Sequence, residues 1–202
     1  MLAPSYNAAW LASLPAAERE AWITDLPLDL ARALLADWRF WARPEQLAPG
    51  TGAVPCAIRG RSNLPDLLRA GQPPDPVEEA RDSWSFWLYL AGRGTGKTRA
   101  GAEFAIECAR EMPGSHGALV AATADDARKT MLSSGLERIP GASGILAVSP
   151  PGFRPLYEPS KLSLTWPTGC VADVFSGENP EQGRGPQFHL VWMDELAAFQ
   201  YA

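Results

Sequence analysis

Residues 86–101 read Phe86-Trp87-Leu88-Tyr89-Leu90-Ala91-Gly92-Arg93-Gly94-Thr95-Gly96-Lys97-Thr98-Arg99-Ala100-Gly101, and the order of residue types in this stretch decides the fold class. The opening apolar run, 86–90, has the character of a strand buried on both faces of a parallel sheet. Residues 91–98, Ala91-Gly92-Arg93-Gly94-Thr95-Gly96-Lys97-Thr98, fit the phosphate-loop pattern with Ala91 where the first glycine often stands. A polyphosphate is held by backbone N–H groups turned inward around it, and Gly92, Gly94 and Gly96 permit the close approach and positive φ angles this demands. Lys97 is a point charge able to reach the β and γ phosphates. The Thr98 hydroxyl can ligate Mg²⁺, and the following helix turns its positive end toward the anion. That helix is predicted over 98–111, with Ala102, Ala105, Ile106 and Ala109 along one side and Pro113-Gly114 ending it.

Strand, glycine-rich turn and helix make one α/β unit, and the pattern continues downstream. A second apolar strand is predicted over 118–122 and a helix over 125–133. Segments 162–166 and 170–175 flank Pro167-Thr168-Gly169, which predicts an antiparallel hairpin. A last short buried strand, 190–193, ends at Asp194-Glu195. This alternation predicts an α/β fold, a P-loop NTPase three-layer sandwich with a mostly parallel sheet and right-handed crossovers, over 84–202.

Upstream of it, 1–83 reads as a helical N-terminal segment followed by a linker or insertion. Asp25 can cap a helix starting at Pro27, in which Leu30, Leu34, Trp38 and Trp41 recur at helical spacing until Pro44 ends it. Such a tryptophan-rich stripe is a packing face and carries no chemistry. Residues 46–82 are rich in Pro, Gly and charge, with one apolar patch at Leu64, Leu67 and Leu68.

Composition narrows the function classes. A chain of 202 residues is long enough for one domain with a sizeable core plus an appended segment. Its net charge of -5 argues against a small module that grips nucleic acid by bulk electrostatics, so a DNA partner would be touched by a few loops. Cys56, Cys108 and Cys170 are odd in number and lack C-x-x-C spacing, which suggests neither a disulfide framework nor a zinc site. No apolar stretch has the length of a membrane span, and Glu18, Glu20, Asp25 and Asp29 interrupt any signal-like run. A reduced, cytoplasmic protein is the expectation.

Leu190-Val191-Trp192-Met193-Asp194-Glu195 has the form of a Walker B element, with Asp194 in the metal role beside Thr98 and Glu195 as the general base for water. By itself such a run is more often a strand end with solvated carboxylates; the phosphate loop upstream reverses that reading. Arg93 within the loop either reaches the γ phosphate, pairs with an acid of the site, or is an exposed loop arginine. Arg184, in Gly183-Arg184-Gly185-Pro186, either faces a neighbouring subunit's nucleotide or simply makes a turn.

The run Leu90–Glu103 closely resembles the phosphate loop and first helix of terminase large subunits from tailed phages and phage-like gene transfer agents. The likeness continues in Thr123-Ala124-Asp125-Asp126-Ala127-Arg128 and in Tyr157-Glu158-Pro159-Ser160. It also holds for Gly183-Arg184-Gly185-Pro186-Gln187-Phe188 and for Trp192-Met193-Asp194-Glu195-Leu196-Ala197-Ala198-Phe199. Trp38, Ala42-Arg43-Pro44 and Gln46 are similar to the segment that precedes the phosphate loop in that family.

The resemblance implies an ASCE-type, RecA-like ATPase using ATP and Mg²⁺ and assembling as a homo-oligomeric ring on a portal protein. With a terminase small subunit as a further partner, it would drive double-stranded DNA into a procapsid. It also implies that Arg93 acts on phosphate, that Arg184 acts in trans, and that Gln46 lies on the adenine side. Two departures stand out. About 35 residues separate the Ala-Arg-Pro segment from the phosphate loop, where the family passes quickly. The family's coupling motif and nuclease domain, which follow the acidic pair, are absent from this sequence. It is thus expected to be either a fragment or a naturally short product, binding ATP and turning it over slowly. A helicase-like P-loop ATPase and a non-catalytic nucleotide-binding assembly module are the alternative readings.

Overall fold

His116–Ala121, labelled β1, is the strand around which the second half of the chain is organised. In the computed structural model, residues 7–35, 37–47 and 86–199 are described, and the chain divides into two units, Met1–Leu90 and Ala91–Ala202. The linker patch at Leu64, Leu67 and Leu68, and Trp84, lie outside the described residues. The division falls after Leu90 rather than before Trp84, so the apolar run 86–90 goes with the first unit.

In the second unit the other strands are β2 (Leu156–Glu158), β3 (Ser163–Thr165), β4 (Val171–Ser176) and β5 (Leu190–Met193), in the order β2-β3-β4-β1-β5. β1 pairs in parallel with β4 on one side and β5 on the other, placing Leu119 opposite both Val174 and Trp192. β2 and β3 extend the sheet in antiparallel fashion. The result is a mixed sheet rather than the mostly parallel one expected, because the hairpin predicted around Pro167-Thr168-Gly169 joins the parallel strands through β3. Gly169, at φ 78°, makes that turn, and the Trp166 amide donates to the Cys170 carbonyl at 2.9 Å.

Helix α5 (Lys97–Glu111) matches the expected element within a residue, burying Ala102, Ala105, Ile106 and Ala109. Those small side chains let the helix lie close on the sheet, where they meet Leu119, Ala121, Leu164, Ala172 and Val174 in one core cluster. The helix expected over 125–133 is instead a short turn, α6 (Ala124–Asp126), running into a π-type turn over Ala127–Met131. Thr123 caps it, its Oγ1 accepting the Asp126 amide at 3.0 Å, and the Leu132 amide reaches back to the Ala127 carbonyl at 3.0 Å. The wider turn is compatible with burying Ala127, Met131 and Leu132 together. α7 (Ile145–Val148) adds Ile145 and Leu146 to the same cluster.

Strand alternation sends Leu119, Ala121, Ala172, Val174 and Trp192 to this helix-covered face and His116, Val120, Asp173, Phe175 and Val191 to the other. Among the described residues of this unit the core therefore has two layers, sheet and one helical face, where three were expected.

The largest departure is the run 86–90, which forms no strand. Phe86, Leu88 and Leu90 are 93%, 73% and 81% exposed, while Trp87 and Tyr89 are half-buried with stacked rings 6.0 Å apart. A strand is a pairing between segments, and no described segment pairs with this one.

The first unit contains α1 (Ala8–Ser13), α2 (Ala16–Thr24), α3 (Leu28–Leu35) and α4 (Trp38–Trp41), then a 3₁₀ turn at Pro44–Gln46. The single helix expected from Pro27 to Pro44 is thus two. Asp37 interrupts it, its Oδ1 accepting the Arg39 amide at 3.0 Å and so starting α4 afresh. Asp25 closes α2 rather than opening α3. Trp22, Leu30, Leu34 and Phe40 form this unit's core, with Trp22 stacked on Phe40 at 6.3 Å and met edge-on by Trp10 at 5.7 Å. Trp41, expected on the buried stripe, is 49% exposed; its Nε1 donates to the Leu34 carbonyl. Among the described residues no helix is long and apolar enough to cross a membrane.

Candidate functional site

β1, β4 and β5 run in one direction, so their carboxyl ends, at Ala121, Ser176 and Met193, share an edge of the sheet. Open α/β sheets bind ligands at that edge. The phosphate loop enters α5 there, because Thr98 Oγ1 donates to Asp194 Oδ2 at 3.4 Å across 96 positions of sequence. The contact is at the loose limit of a hydrogen bond.

The loop itself is shaped locally. Gly94 and Gly96 take left-handed φ angles of 73° and 83°, with Gly96 as the N-cap of α5, and no atom lies within 4 Å of a Cβ built on Gly94. Gly92, expected to share this geometry, has no positive φ. Its carbonyl instead accepts the Thr95 hydroxyl at 2.8 Å, cross-bracing the turn. Lys97 Nζ donates to the carbonyls of Ala91 and Gly92 at 2.8 and 2.9 Å, so the ammonium sits over the loop it belongs to. Arg93 is exposed at the loop's tip. Behind the loop, Arg99 and Glu103 pair along the outside of α5 at 2.6 Å.

Asp194 is the buried member of the acidic pair, 9% exposed, whereas Glu195 is exposed. Burial pushes the Asp194 carboxyl above the usual carboxylate range and the neighbouring Glu195 charge adds to this; the Thr98 hydroxyl, the Glu195 backbone and the Lys97 charge oppose it. Glu195 has φ 51° and ψ 49°, a left-handed backbone uncommon outside glycine, asparagine and aspartate. Strain of this kind, on the order of 1 kcal/mol, clusters at functional sites.

Arg184 follows the 3₁₀ turn Pro180–Gly183 beyond the carboxyl end of β4. Its side chain is 79% exposed and its guanidinium pairs with Glu181 at 2.9 Å, three residues earlier. Gln46, in the first unit, accepts the Arg43 amide at 2.9 Å through its Oε1 and so closes a local turn. The structure therefore brings Lys97, Thr98, Asp194 and the loop 91–96 together and leaves the Arg93 and Arg184 side chains in solvent.

One feature of this edge escaped the sequence reading. Gly177 follows β4 and donates its amide to the Ala121 carbonyl at 2.8 Å, and a Cβ there would stand 3.1 Å from the Phe199 ring. The returning chain after Glu195 thus packs on a glycine, a contact that no local pattern announces.

Among the described residues no group of three or more His, Cys, Asp or Glu side chains is placed to hold a metal ion. The hard oxygens of Thr98 and Asp194 fit Mg²⁺, which takes few protein ligands and draws the rest from phosphate and water.

Two solved structures are similar over 55% of the chain: the large terminase ATPase domain of Thermus phage P74-26, at 21% identity, and an arginine-to-alanine variant of that domain, at 20%. Both superpose with a TM-score of 0.40, and the chain spans about half of their length, 47% and 48%. A search of curated proteins found no match. The family profile described as "Terminase large subunit, T4likevirus-type, N-terminal" matches residues 88–202, which include the whole of the phosphate loop, α5 and the strand ending at Asp194. That match takes in more than half of the sequence, and it makes this chain a member of the terminase large subunit family.

Proposed function

We propose that this chain is the ATPase part of a DNA-packaging motor subunit, binding MgATP at the carboxyl edge of its sheet and hydrolysing the β–γ phosphoanhydride. The observation that carries the reading is the meeting of Thr98 and Asp194 across 96 positions of sequence, directly beneath the glycine loop. Phosphate binding and metal coordination need two remote segments at one point, and a decorative phosphate-loop pattern would have no reason to supply the second.

Each residue then has a task. Backbone amides over 91–96, together with Gly94 and Gly96 in left-handed geometry, cradle the phosphates, and Lys97 moves from its loop carbonyls to the β and γ oxygens. Thr98 and Asp194 would hold the Mg²⁺, and the ion would supply positive charge against the phosphates. A cation there also relieves the desolvation of Asp194. Glu195, exposed beside it, would take a proton from the attacking water. Arg93, exposed at the loop tip, would act on the γ phosphate. Arg184, held only by a solvent-exposed ion pair that contributes little stability, is free to exchange Glu181 for a phosphate on a neighbouring subunit.

In this reading the subunits form a ring on a portal protein, receive double-stranded DNA with the help of a terminase small subunit, and work in the bacterial cytoplasm. Nucleotide-dependent movement between subunits moves the DNA. ATP turnover by the chain, compared with Lys97→Ala and Glu195→Ala, tests the catalytic claim. Lys97→Ala is expected to abolish nucleotide uptake, and Glu195→Ala to retain uptake while hydrolysis falls by about 10²-fold or more. Equal hydrolysis at background level in the parent and in Glu195→Ala would instead make the chain a nucleotide-binding assembly module.

A further inference from the structure

Three residues beyond Thr98, α5 presents Gly101 to β5, and two residues before Asp194, β5 presents Trp192 to α5. A Cβ built on Gly101 would stand 2.5 Å from Cζ2 and 2.6 Å from Nε1 of Trp192, and closer still to Cε2. The indole edge therefore lies directly on the helix backbone. Trp192 is half-buried and packs against the main core cluster, so its ring is backed by Leu119 and its neighbours and has little room to retreat.

The two contacts are one lever apart. Thr98 and Gly101 share a helix face at about 4.5 Å of rise, and Trp192 and Asp194 share a strand face at about 6.6 Å. The separation of helix and strand at Gly101 thus dictates the separation of the Thr98 hydroxyl and the Asp194 carboxylate, which is 3.4 Å. Two adjacent ligands of an octahedral Mg²⁺ with bonds of 2.0–2.1 Å stand roughly 2.9 Å apart, and the ion tolerates little deviation. Ordinary carbon contacts need about 3.5–4.0 Å. A single methyl group at Gly101 would have to push the helix from the strand by roughly 1 Å, enough to hold the two oxygens from closing to that span.

We propose that Gly101 and Trp192 are positioning residues, a spacer whose thickness sets the gap between Thr98 and Asp194 and hence the affinity of the site for Mg²⁺. The proposal rests on the nucleotide-site reading above. It separates metal affinity from phosphate affinity, because the loop 91–96 is built from local contacts that do not involve either residue.

The test uses the full chain and a fluorescent ATP analogue, titrated with Mg²⁺ and, separately, in EDTA. Gly101→Ala is expected to bind the analogue in EDTA within about 2-fold of the parent, and to need about 10-fold more Mg²⁺ for half-maximal tightening, one order of magnitude being the usual cost of disturbing a ligand's support. Adding Trp192→Leu, which removes the Nε1–Cζ2 edge, is expected to restore the parental Mg²⁺ requirement. A merely structural role would lower both affinities together and show no rescue. Gly101→Ala with parental Mg²⁺ dependence overturns the spacer, as does a folded double variant that stays impaired. If Gly101→Ala alone does not fold, the double variant decides in the same way, recovery supporting the proposal and its lack refuting it. A parent that takes up no analogue at all refutes the nucleotide-site reading itself, and the spacer falls with it.

Discussion

Residues 86–90 and the strand Leu190–Met193 each lead an apolar run into candidate site residues, the first into the glycine-rich loop 91–98 and the second into Asp194-Glu195. The second pairs in parallel with β1 and sends Leu190 and Trp192 into the core. The first pairs with nothing described and leaves Phe86, Leu88 and Leu90 in solvent. Hydrophobic content is thus the same signal in both places, and what separates them is a partner strand. The phosphate loop nevertheless keeps its shape, because Gly94, Gly96, the Thr95 hydroxyl and Lys97 define it over a few residues.

Amide hydrogen exchange should separate the two runs most strongly. The His189 and Asp194 amides, which donate to the His116 and Val120 carbonyls on either flank of β5, are expected to exchange about 10³-fold more slowly than unstructured peptide, and those of 86–90 within about 10-fold of it. Equal protection in both would break the comparison.

Next in size is a pair of tryptophan substitutions followed by chemical denaturation. Trp192→Ala removes a ring wedged between α5 and the core and should cost about 3 kcal/mol, whereas Trp87→Ala, at a half-buried ring stacked on Tyr89, should cost about 1 kcal/mol or less.

A subtler effect concerns the acid at the end of β5. Since burial raises the Asp194 carboxyl above its unfolded value, its contribution to stability is fully present below the unfolded pKa and is lost as pH rises through the folded one. Asp194→Asn in EDTA should therefore melt above the parent at neutral pH, and this advantage should vanish as the pH approaches about 4. A variant that melts lower at neutral pH would show that the charge is compensated.

The smallest effect sharpens the boundary between the regions. Leu88→Gln and Val191→Thr, both solvent-facing, should each change stability by no more than about 0.5 kcal/mol, and a larger loss at Leu88 would reveal packing around 86–90.

These contrasts also mark what could be read from residues alone. The helix after the phosphate loop was legible because Ala102, Ala105, Ile106 and Ala109 repeat at helical spacing and Pro113-Gly114 closes it. The hairpin was legible through Pro167-Thr168-Gly169, and β5 through its apolar residues and acidic end, although the strand expected to be buried alternates half-buried and exposed residues. Misreadings arose where the outcome is non-local or turns on one residue. Residues 86–90 needed a neighbour, the stripe through Trp38 and Trp41 was interrupted by the Asp37 cap, and 125–133 widened into a π-type turn. Strand β2 was missed, since Leu156–Glu158 has too few residues to show alternation. At the site, the meeting of Lys97, Thr98 and Asp194 followed from residue type, whereas the fit of Trp192 against Gly101 depends on shape, which composition does not encode.

The ammonium of Lys97, docked on the carbonyls of Ala91 and Gly92, folds the loop back onto its own side chain. An incoming polyphosphate would inherit a finished mould and exchange one set of acceptors for another, so the heat released on uptake is the small difference between two well-made arrangements. Selectivity in such a mould falls to geometry: a lone anion displaces the carbonyls at one point, whereas a chain of phosphates can replace them all.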